Sequence, residues 1–406
     1  MCSCCGSSRF GGPIRRCRPS WVGSSFCRRS RFCGSGRCCG CGGSGPSPPA
    51  CVSSGALVSR SRSRSGGTMR RYLLVLPLLL LAGCATKPSS TTSEGGRQPA
   101  VTATDPALRA SAIRADVSML RADKPVFGIT SEKDAVEDAD RAAQEIGCRP
   151  MWRGVYASIG APFELSRLTN AAGIPFLTVQ PKDLGSVVEQ KSWSLAATVA
   201  GKNDAKLRAV ADTVVEYGDL VVIRYAPEMN GDWSPWAAGV NGNTASQYVK
   251  AWRHVVTLFR EAGATNVLWL WAPNIIRGAT VKGISQFWPG DKWVDLVGFT
   301  GYGVGSSAFG FESSASQTFD PTMKMLARVS KKPVVLAETG VGGKAKDRWM
   351  TTLGPWLRAH PNVIGLIWTQ APPPHSSADW RYNDSPRNMK AFKKSVVPNL
   401  ACAPSR

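Results

Sequence analysis

Histidine is scarce in this sequence. The chain has 406 residues and three histidines, His254, His360 and His375, which lie in separate segments. They do not form the ligand cluster of a metal site. The chain also lacks a phosphate-binding loop, a dinucleotide-binding turn and a Ser/His/Asp hydrolase elbow. We therefore expect no metal and no cofactor, which excludes the enzyme classes that depend on them.

Acidic residues and lysine are absent from residues 1–68, which contain ten of the 13 cysteines and eleven arginines. This extension contributes half of the formal net charge of +22, so the total charge does not indicate a nucleic-acid partner. Its low aliphatic content cannot support a core and predicts disorder. Either translation starts at Met69 and the extension is never made, or it is a basic tail that binds metal or nucleic acid. We favour the first interpretation, because a complete export signal follows Met69.

The export signal occupies residues 69–83. Two arginines follow Met69, ten mostly apolar residues come next, and two small residues precede Cys84. The apolar run is too short to cross a bilayer as a helix. Residues 81–84 resemble a bacterial lipobox, which implies cleavage before Cys84, lipidation of its thiol and attachment to a membrane. The alternative is an ordinary secretory peptide with an incidental cysteine. Either way we expect an exported protein, and lipidation would make it a cell-surface or periplasmic lipoprotein.

Two cysteines follow Cys84 in the sequence, Cys148 and Cys402. In an exported domain such a pair can form a disulfide, which here would join the C-terminal tail to an early helix. The alternative is two unpaired thiols.

Residues 85–104 are rich in Ser, Thr, Gly and Pro, which predicts a flexible tether over residues 84–119, and residues 120–406 form one periodic region. Short apolar runs predict strands at Val126–Thr130, Met151–Tyr156, Pro175–Gln180, Leu220–Tyr225, Asn266–Trp271, Val294–Thr300, Pro333–Ala337 and Val363–Thr369. Segments with helical period separate them, of which Lys133–Ile146 and Thr244–Ala262 are the clearest. Eight strands alternating with helices predict an α/β protein, a (β/α)8 TIM barrel that we expect to be monomeric. The alternative, an open doubly wound sheet, would normally need a Gly-rich turn after the first strand, and residues 129–133 do not form one.

Two glutamates follow predicted strands. Glu228 comes after the fourth strand and Glu338 after the seventh, and these strands lie nearly opposite each other in a closed barrel. Glycosidic cleavage needs two carboxyl groups, one that protonates the leaving oxygen and one that attacks the sugar or activates water. Tryptophans near strand ends, Trp233, Trp236 and Trp368, could stack on sugar rings. The pattern therefore predicts a carbohydrate-active site.

Arg224 and the segment Glu228-Met229-Asn230-Gly231-Asp232-Trp233-Ser234-Pro235-Trp236 resemble the signature of glycoside hydrolase family 26. The resemblance extends over most of residues 120–400 and includes Tyr302, residues 332–340, Trp368 and the segment around Asp384. This family contains retaining endo-β-mannanases, β-glucanases and β-xylanases on (β/α)8 barrels.

The resemblance implies specific roles. Glu228 would be the acid/base and Glu338 the nucleophile of a retaining endo-1,4-β-mannanase. Tyr302 would donate a hydrogen bond to Glu338, and Arg224 would neutralise charge under the site. Substrate contacts are expected from tryptophans 233, 236 and 368 and from Asn230 and Asp384, and the partner would be a polysaccharide.

Pro227 departs from the family pattern, which usually has histidine immediately before the acid/base. Proline offers no side-chain donor and lacks the backbone N–H. Both carboxylates remain, so the reaction type is expected to survive, while the sugar specificity is left open between mannan and another β-glycan. A second hypothesis is a carbohydrate-binding surface lipoprotein that has lost turnover.

Overall fold

The computed structural model describes residues 123–403, apart from residues 132–134, 186, 305–313 and 374–375. Several sequence features lie outside the described residues: the extension 1–68, the export signal with Cys84, the tether to residue 119, and His375.

Within the described residues, eight parallel strands follow one another around a closed barrel. They are β1 (Val126–Thr130), β2 (Trp152–Ser158), β3 (Ile174–Gln180), β4 (Val221–Tyr225), β5 (Val267–Trp271), β6 (Leu296–Val304), β7 (Val334–Gly342) and β8 (Val363–Thr369). β1 pairs with both β2 and β8, which closes the sheet. The predicted (β/α)8 barrel is confirmed, and an open doubly wound sheet is excluded.

Helices cover the outside of the barrel. The described α-helices are α1 (Ala135–Ile146), α2 (Ser166–Thr169), α3 (Leu195–Val199), α4 (Asp204–Tyr217), α5 (Ala245–Glu261), α6 (Ala315–Val329), α7 (Lys346–Ala359) and α8 (Pro386–Ser395). Short 3-10 helices lie at Lys191–Trp193, Ile284–Phe287, Asp291–Trp293 and Val397–Asn399.

The helix α5 begins as the sequence predicted, at a capping box. The Thr244 hydroxyl accepts from the Gln247 backbone N–H at 3.2 Å, and the Gln247 side chain accepts from the Thr244 backbone N–H at 2.8 Å. The apolar face that follows is buried: Tyr248, Trp252, Val255 and Phe259. Burial of this face holds α5 on the barrel.

The barrel interior is filled by large side chains that need small neighbours. Trp152 and Phe176 pack inside with their ring centroids 5.9 Å apart. A Cβ on Gly365 would lie 2.1 Å from the Trp152 ring, so only glycine fits there. The interior is therefore a packed core, and the functional residues must lie at an end of the barrel.

The C-terminal segment closes the N-terminal end of the barrel. The Phe127 N–H donates to the Ala401 carbonyl at 2.9 Å, and the Ala401 N–H donates to the Pro125 carbonyl at 2.9 Å. A disulfide joins Cys148 and Cys402, which are 254 residues apart in sequence. The pairing expected from the cysteine count is therefore present.

Candidate active site

A cleft of about 680 Å³ opens at the C-terminal ends of the strands. It is lined by Thr130, Ser131, Tyr156, Gln180, Lys182, Glu228, Trp233, Asn274, Thr300, Tyr302, Glu338, Thr369, Ala371, Ser376, Ser377 and Trp380. The two glutamates singled out in the sequence thus share one cleft, at the end of the barrel where this fold carries its chemistry.

The backbone around Glu228 is strained and firmly held. Ala226 and Glu228 have φ angles of 41° and 58°, which L side chains rarely adopt, at a cost of roughly 1–3 kcal/mol each. The Ala226 N–H donates to the Val179 carbonyl on β3 at 2.9 Å. The Glu228 N–H donates to the Ala272 carbonyl after β5 at 3.0 Å. The neighbouring strands therefore fix the turn that aims Glu228 into the cleft.

Two residues of the Glu228 motif support this turn instead of facing the cleft. Trp236 is 2% exposed, and its indole N–H donates to the Pro227 carbonyl at 2.6 Å. Asn230 is fully buried. Its side-chain amide donates to the Asn274 carbonyl at 3.0 Å, and its amide oxygen accepts from the Asn274 backbone N–H at 2.8 Å. The expectation that Trp236 and Asn230 contact sugar is therefore wrong for this structure, because neither side chain reaches the cleft.

Glu338 lies inside β7, whereas the sequence predicted a strand ending at Ala337. β6 and β7 both run further than the apolar pattern indicates, since they continue to pair with each other through Val304 and Gly342. The register of β7 against β8 shifts between Leu336 and Thr339, and that against β6 shifts at Thr300. Such irregularities re-aim a side chain, and this one lies beside Glu338.

One buried arginine holds both carboxylates. Arg224 is 1% exposed, and its Nη1 donates to Glu338 Oε2 at 2.8 Å while its Nη2 donates to Glu228 Oε1 at 3.3 Å. Nη2 also donates to the Thr300 hydroxyl at 2.5 Å. Burial alone would lower the pKa of Arg224, but the charges of Glu338 and Glu228 outweigh it and the pKa is raised. The expected charge neutralisation under the site is present, and it joins the two carboxyl groups through one guanidinium.

Glu338 accepts hydrogen bonds from three side chains. Besides Arg224, the Tyr302 hydroxyl donates to Oε1 at 2.5 Å and the Tyr156 hydroxyl donates to Oε2 at 3.4 Å. Burial and the charge of Glu338 raise the pKa of both tyrosines, so each remains a neutral donor. Hydrogen bonds to a charged acceptor are the strong ones, and here they orient the carboxylate. The hydrogen bond predicted from Tyr302 to Glu338 is thus present.

Glu228 has a different environment. The Trp233 indole N–H donates to its Oε2 at 2.7 Å, and the Asn274 amide donates to the same oxygen at 3.3 Å. Burial and then the charge of Glu338 raise the pKa of Glu228, against a smaller lowering by Arg224. Glu228 therefore keeps its proton to higher pH than a solvent-exposed glutamate does, which is the property of a general acid.

The aromatic residues at the cleft differ from those expected. Trp368 is fully buried in β8, and its indole N–H donates to the Trp380 carbonyl at 3.0 Å, so the prediction that it forms a sugar platform is wrong for this structure. Trp233 is 42% exposed and lines the cleft. Trp380 also lines the cleft and packs on Tyr302, with ring centroids 4.3 Å apart. Trp233 and Trp380 therefore supply the indole surface of the cleft.

Asp384 lies away from the cleft. Its carboxylate pairs with Lys346 Nζ at 2.7 Å and accepts from the Asn388 amide at 2.7 Å. Both of its oxygens are thus engaged in joining the segment before α8 to the start of α7. The expectation of a sugar contact is wrong here, because the side chain serves packing.

Sequence reasoning missed Tyr156, Asn274 and Trp380 as cleft residues. Tyr156 and Asn274 stand at or just after predicted strands, which is the only signal that the sequence offers. Trp380 lies in the loop after β8, with no motif to mark it. Gln180, at the end of β3, also lines the cleft.

Across the described part of the chain, no three His, Cys, Asp or Glu side chains come together as metal ligands. Among those residues there is also no helix with the length and apolar character needed to span a membrane.

Comparison with known proteins agrees with this architecture. A family model described as glycosyl hydrolase family 26 matches residues 194–340, a stretch that contains Arg224 and both glutamates. Endoglucanase H of Acetivibrio thermocellus is 34% identical over 48% of this chain and 22% of its own length. A mannan endo-1,4-beta-mannosidase of Bacillus subtilis is 29% identical over 36% of this chain and 39% of its own length. The chain thus spans only about a fifth to two fifths of these relatives.

Among solved structures, a GH26 β-mannanase from Bacteroides ovatus matches with a TM-score of 0.56 and 20% identity, over 74% of this chain and 95% of that one. At this identity the likeness concerns the fold. It agrees with the closed (β/α)8 barrel described above.

Proposed function

We propose that this chain is a retaining glycoside hydrolase of a β-linked polysaccharide, with Glu228 as acid/base and Glu338 as nucleophile. The observation that carries the proposal is the shared guanidinium of Arg224, which holds two carboxyl groups in unlike surroundings. One carboxylate is oriented by three donors, and the other has a raised pKa. The match to a glycoside hydrolase family model over both glutamates supports the same reaction class.

The geometry supports a two-step mechanism. Glu338 Oε attacks the anomeric carbon while Glu228 gives its proton to the glycosidic oxygen, and the leaving sugar departs with that proton. A covalent glycosyl ester on Glu338 results. Glu228, now ionised, takes a proton from water, the water oxygen attacks the anomeric carbon, and the ester bond to Glu338 breaks. Arg224 stays in place and compensates whichever carboxylate is charged.

We propose β-mannan as the substrate, cleaved internally at β-1,4 linkages. The names of several relatives support mannan, and that of endoglucanase H supports a β-glucan as the alternative. A β-xylan is a further alternative, because Pro227 removes a side chain that the resembled family uses near the scissile bond.

The experiment is a panel of soluble β-mannan, mixed-linkage β-glucan and β-xylan, with oligosaccharide release measured by chromatography. Glu338→Gln should abolish release, and Glu228→Gln should lower it by roughly 10²–10⁴-fold. Glu216→Gln, an exposed glutamate on α4, is the matched control. Proton NMR of the first product should show the β anomer. A first-formed α anomer would contradict the nucleophile assignment, and full activity in Glu338→Gln would overturn the site.

Pro227 favours one second candidate, a non-catalytic carbohydrate-binding protein. In that case the protein would bind a glycan of the panel without releasing product, and Glu228→Gln would not change the affinity. Product release that depends on both glutamates excludes this candidate.

We further propose that the protein is exported and anchored through lipid on Cys84. The signal at residues 69–83 motivates this, and the Cys148–Cys402 disulfide supports an oxidising compartment. Expression from Met69 in a bacterial host with radiolabelled palmitate should label the protein, and Cys84→Ser should abolish labelling. Equal labelling of Cys84→Ser would contradict the anchor.

A further inference from the structure

The catalytic cleft continues into a second hollow. This hollow has a volume of about 460 Å³ and shares Trp233, Asn274 and Tyr302 with the cleft. Its other described lining residues are Ile275, Arg277, Gly278 and Val304. Because the two share three residues, they form one groove, which we call the extended groove.

Apart from the two glutamates, the charged residues described as lining the extended groove are both cations. Lys182 follows β3, and its Nζ donates to the Gly185 carbonyl at 3.3 Å. Arg277 follows β5, and its Nη2 donates to the Tyr302 carbonyl at 3.0 Å. Since β4 lies between β3 and β5, these cations flank the strand that presents Glu228.

These two cations differ from others near the groove. Lys346 on α7 and Arg381, next to Trp380 in the loop after β8, form salt bridges with Asp379, and Lys346 forms one with Asp384 as well. Within the described residues, by contrast, Lys182 and Arg277 have carbonyl partners and no carboxylate partner. Lys182 is half-buried and Arg277 is exposed. Partial desolvation by neighbouring protein lowers the pKa of both.

The balance of charge in the extended groove is positive at the start of the reaction. Glu338 is compensated by Arg224, and Glu228 carries the proton that catalysis requires. Lys182 and Arg277 are then left without a counter-charge in the groove. A neutral glycan would offer them hydroxyl groups only, whereas a carboxylate would offer a charge-assisted hydrogen bond and, for arginine, a bidentate one.

We propose that the extended groove accepts a β-glycan that carries carboxylate groups, such as uronic acid units, and that Lys182 and Arg277 recognise these groups. The inference rests on the proposed glycoside hydrolase function and narrows its substrate class. Lys182 and Arg277 thereby determine specificity and take no part in bond cleavage.

The test compares the two hexose polymers of the panel, β-mannan and mixed-linkage β-glucan, each with the same polymer after oxidation of its C6 hydroxymethyl groups to carboxylates. The backbone and linkage are identical, so the ratio of kcat/KM on the two forms isolates the charge. We expect wild type to favour the carboxylated form at low salt, and the preference to shrink as salt is raised. Lys182→Met and Arg277→Gln should each lower the ratio about tenfold, the size expected for one charge-assisted hydrogen bond. Lys202→Met, at an exposed lysine that does not line the groove, is the matched control.

The outcomes separate this inference from the proposed function. If neutral polymers are cleaved, carboxylation brings no advantage and the two variants leave the ratio unchanged, the inference is wrong and the hydrolase function stands. If no polymer is cleaved, the hydrolase function has failed. Calorimetric binding of carboxylated and neutral oligosaccharides then tests the recognition of carboxylate groups by itself. Preferential binding of the carboxylated form that is lost in both variants supports the inference, and equal binding overturns it.

Discussion

The candidate acid/base and the residue two positions before it carry the local strain of the site. Ala226 and Glu228 hold left-handed backbone conformations on either side of Pro227. Hydrogen bonds to the ends of β3 and β5 and the bond from Trp236 to the Pro227 carbonyl hold this turn. Pro227 thus lies within a turn whose conformation is held by contacts with β3, β5 and Trp236. The backbone hydrogen bonds of this turn direct the Glu228 side chain into the cleft.

The raised pKa of Glu228 predicts a specific pH dependence. As pH rises through this pKa, Glu228 loses the proton that the leaving group needs, so kcat/KM should fall on the alkaline side. The folded state also binds this proton more tightly than the unfolded chain, whose glutamate titrates near 4.5. Stability should therefore decrease as pH rises from 4.5 through the raised pKa.

Thermal unfolding of Glu228→Gln against wild type checks this. The variant should gain stability relative to wild type above that window, and the difference should vanish below pH 4.5. Glu216→Gln should show no such pH-dependent difference. A constant offset between Glu228→Gln and wild type at every pH would contradict the assignment.

Tyr302 orients the candidate nucleophile, so Tyr302→Phe removes one of three donors to Glu338 while keeping the ring that packs on Trp380. We expect kcat to fall roughly 10- to 100-fold, which corresponds to a charged hydrogen bond of about 1.5–3 kcal/mol. Steady-state kinetics on the cleaved polysaccharide measures this. Tyr217→Phe, at the end of α4, is the control, and an equal effect of both variants would argue against orientation by Tyr302.

At the scale of elements, the loop between β8 and α8 is held in place by contacts with the start of α7. Lys346, at the first turn of α7, is 1% exposed and contacts Asp379, Asp384 and the Arg381 carbonyl. These contacts fix the segment on either side of Trp380. The loop that completes the cleft is thus anchored by buried Lys346 and the partly exposed carboxylates that pair with it.

Asp384→Asn tests whether Asp384 acts in packing or in sugar binding. The change weakens the contact with buried Lys346, so the free energy of unfolding should fall by about 1–3 kcal/mol. KM for the polysaccharide should stay at the wild-type value, because Asp384 does not line the cleft. Urea unfolding and kinetics measure the two effects, with exposed Asp212→Asn as control. A raised KM with unchanged stability would restore the sugar contact.

Helices α7 and α8 approach each other at Gly354. A Cβ there would lie 2.0 Å from the Ser395 carbonyl, which belongs to the backbone and cannot move without shifting α8. Alanine gains about 1 kcal/mol in helix propensity, but overpacking costs about 1–3 kcal/mol. We expect Gly354→Ala to lower the Tm. Gly283→Ala, whose Cβ would meet only the flexible Gln286 side chain, should not, and a higher Tm for Gly354→Ala would show that the helices can separate freely.

For the molecule as a whole, the two ends of the described chain meet at the N-terminal end of the barrel. The tail around Ala401 pairs with the start of β1, and the Cys148–Cys402 disulfide fastens that tail to the segment after α1. The active-site cleft lies at the opposite end of the strands. We therefore expect that removing the contacts of the C-terminal tail lowers the stability of the protein and leaves the geometry of the cleft unchanged.

Replacing both cysteines, as Cys148→Ala with Cys402→Ala, should lower the free energy of unfolding by about 2–5 kcal/mol, because the disulfide closes a very long loop in the unfolded chain. Denaturant unfolding with and without reductant measures this. The double variant should be insensitive to reductant and should keep its activity under native conditions. Alkylation of Cys148 and Cys402 in the oxidised, folded wild type, located by peptide mapping, would contradict the bridge.

The sequence by itself determined the architecture and the identity of the two glutamates at the strand ends. Apolar runs of strand length alternating with amphipathic helices predict a (β/α)8 barrel, since burial on both sheet faces and on one helix face is a local, periodic requirement. Glu228 and Glu338 were identifiable because this barrel exposes the ends of its strands. The capping box of α5 and the cysteine pair were equally readable, because each depends on residue types at set positions.

Only the tertiary structure decided which side chains face the cleft. Trp236, Trp368, Asn230 and Asp384 have the chemistry of sugar contacts, yet packing turns them into internal supports. Tyr156, Asn274 and Trp380 reach the cleft from three different loops or strands. The register shift beside Glu338 and the left-handed turn at Glu228 arise from pairing with neighbouring strands. Side-chain direction at a strand end depends on contacts distant in sequence, and no local pattern records them.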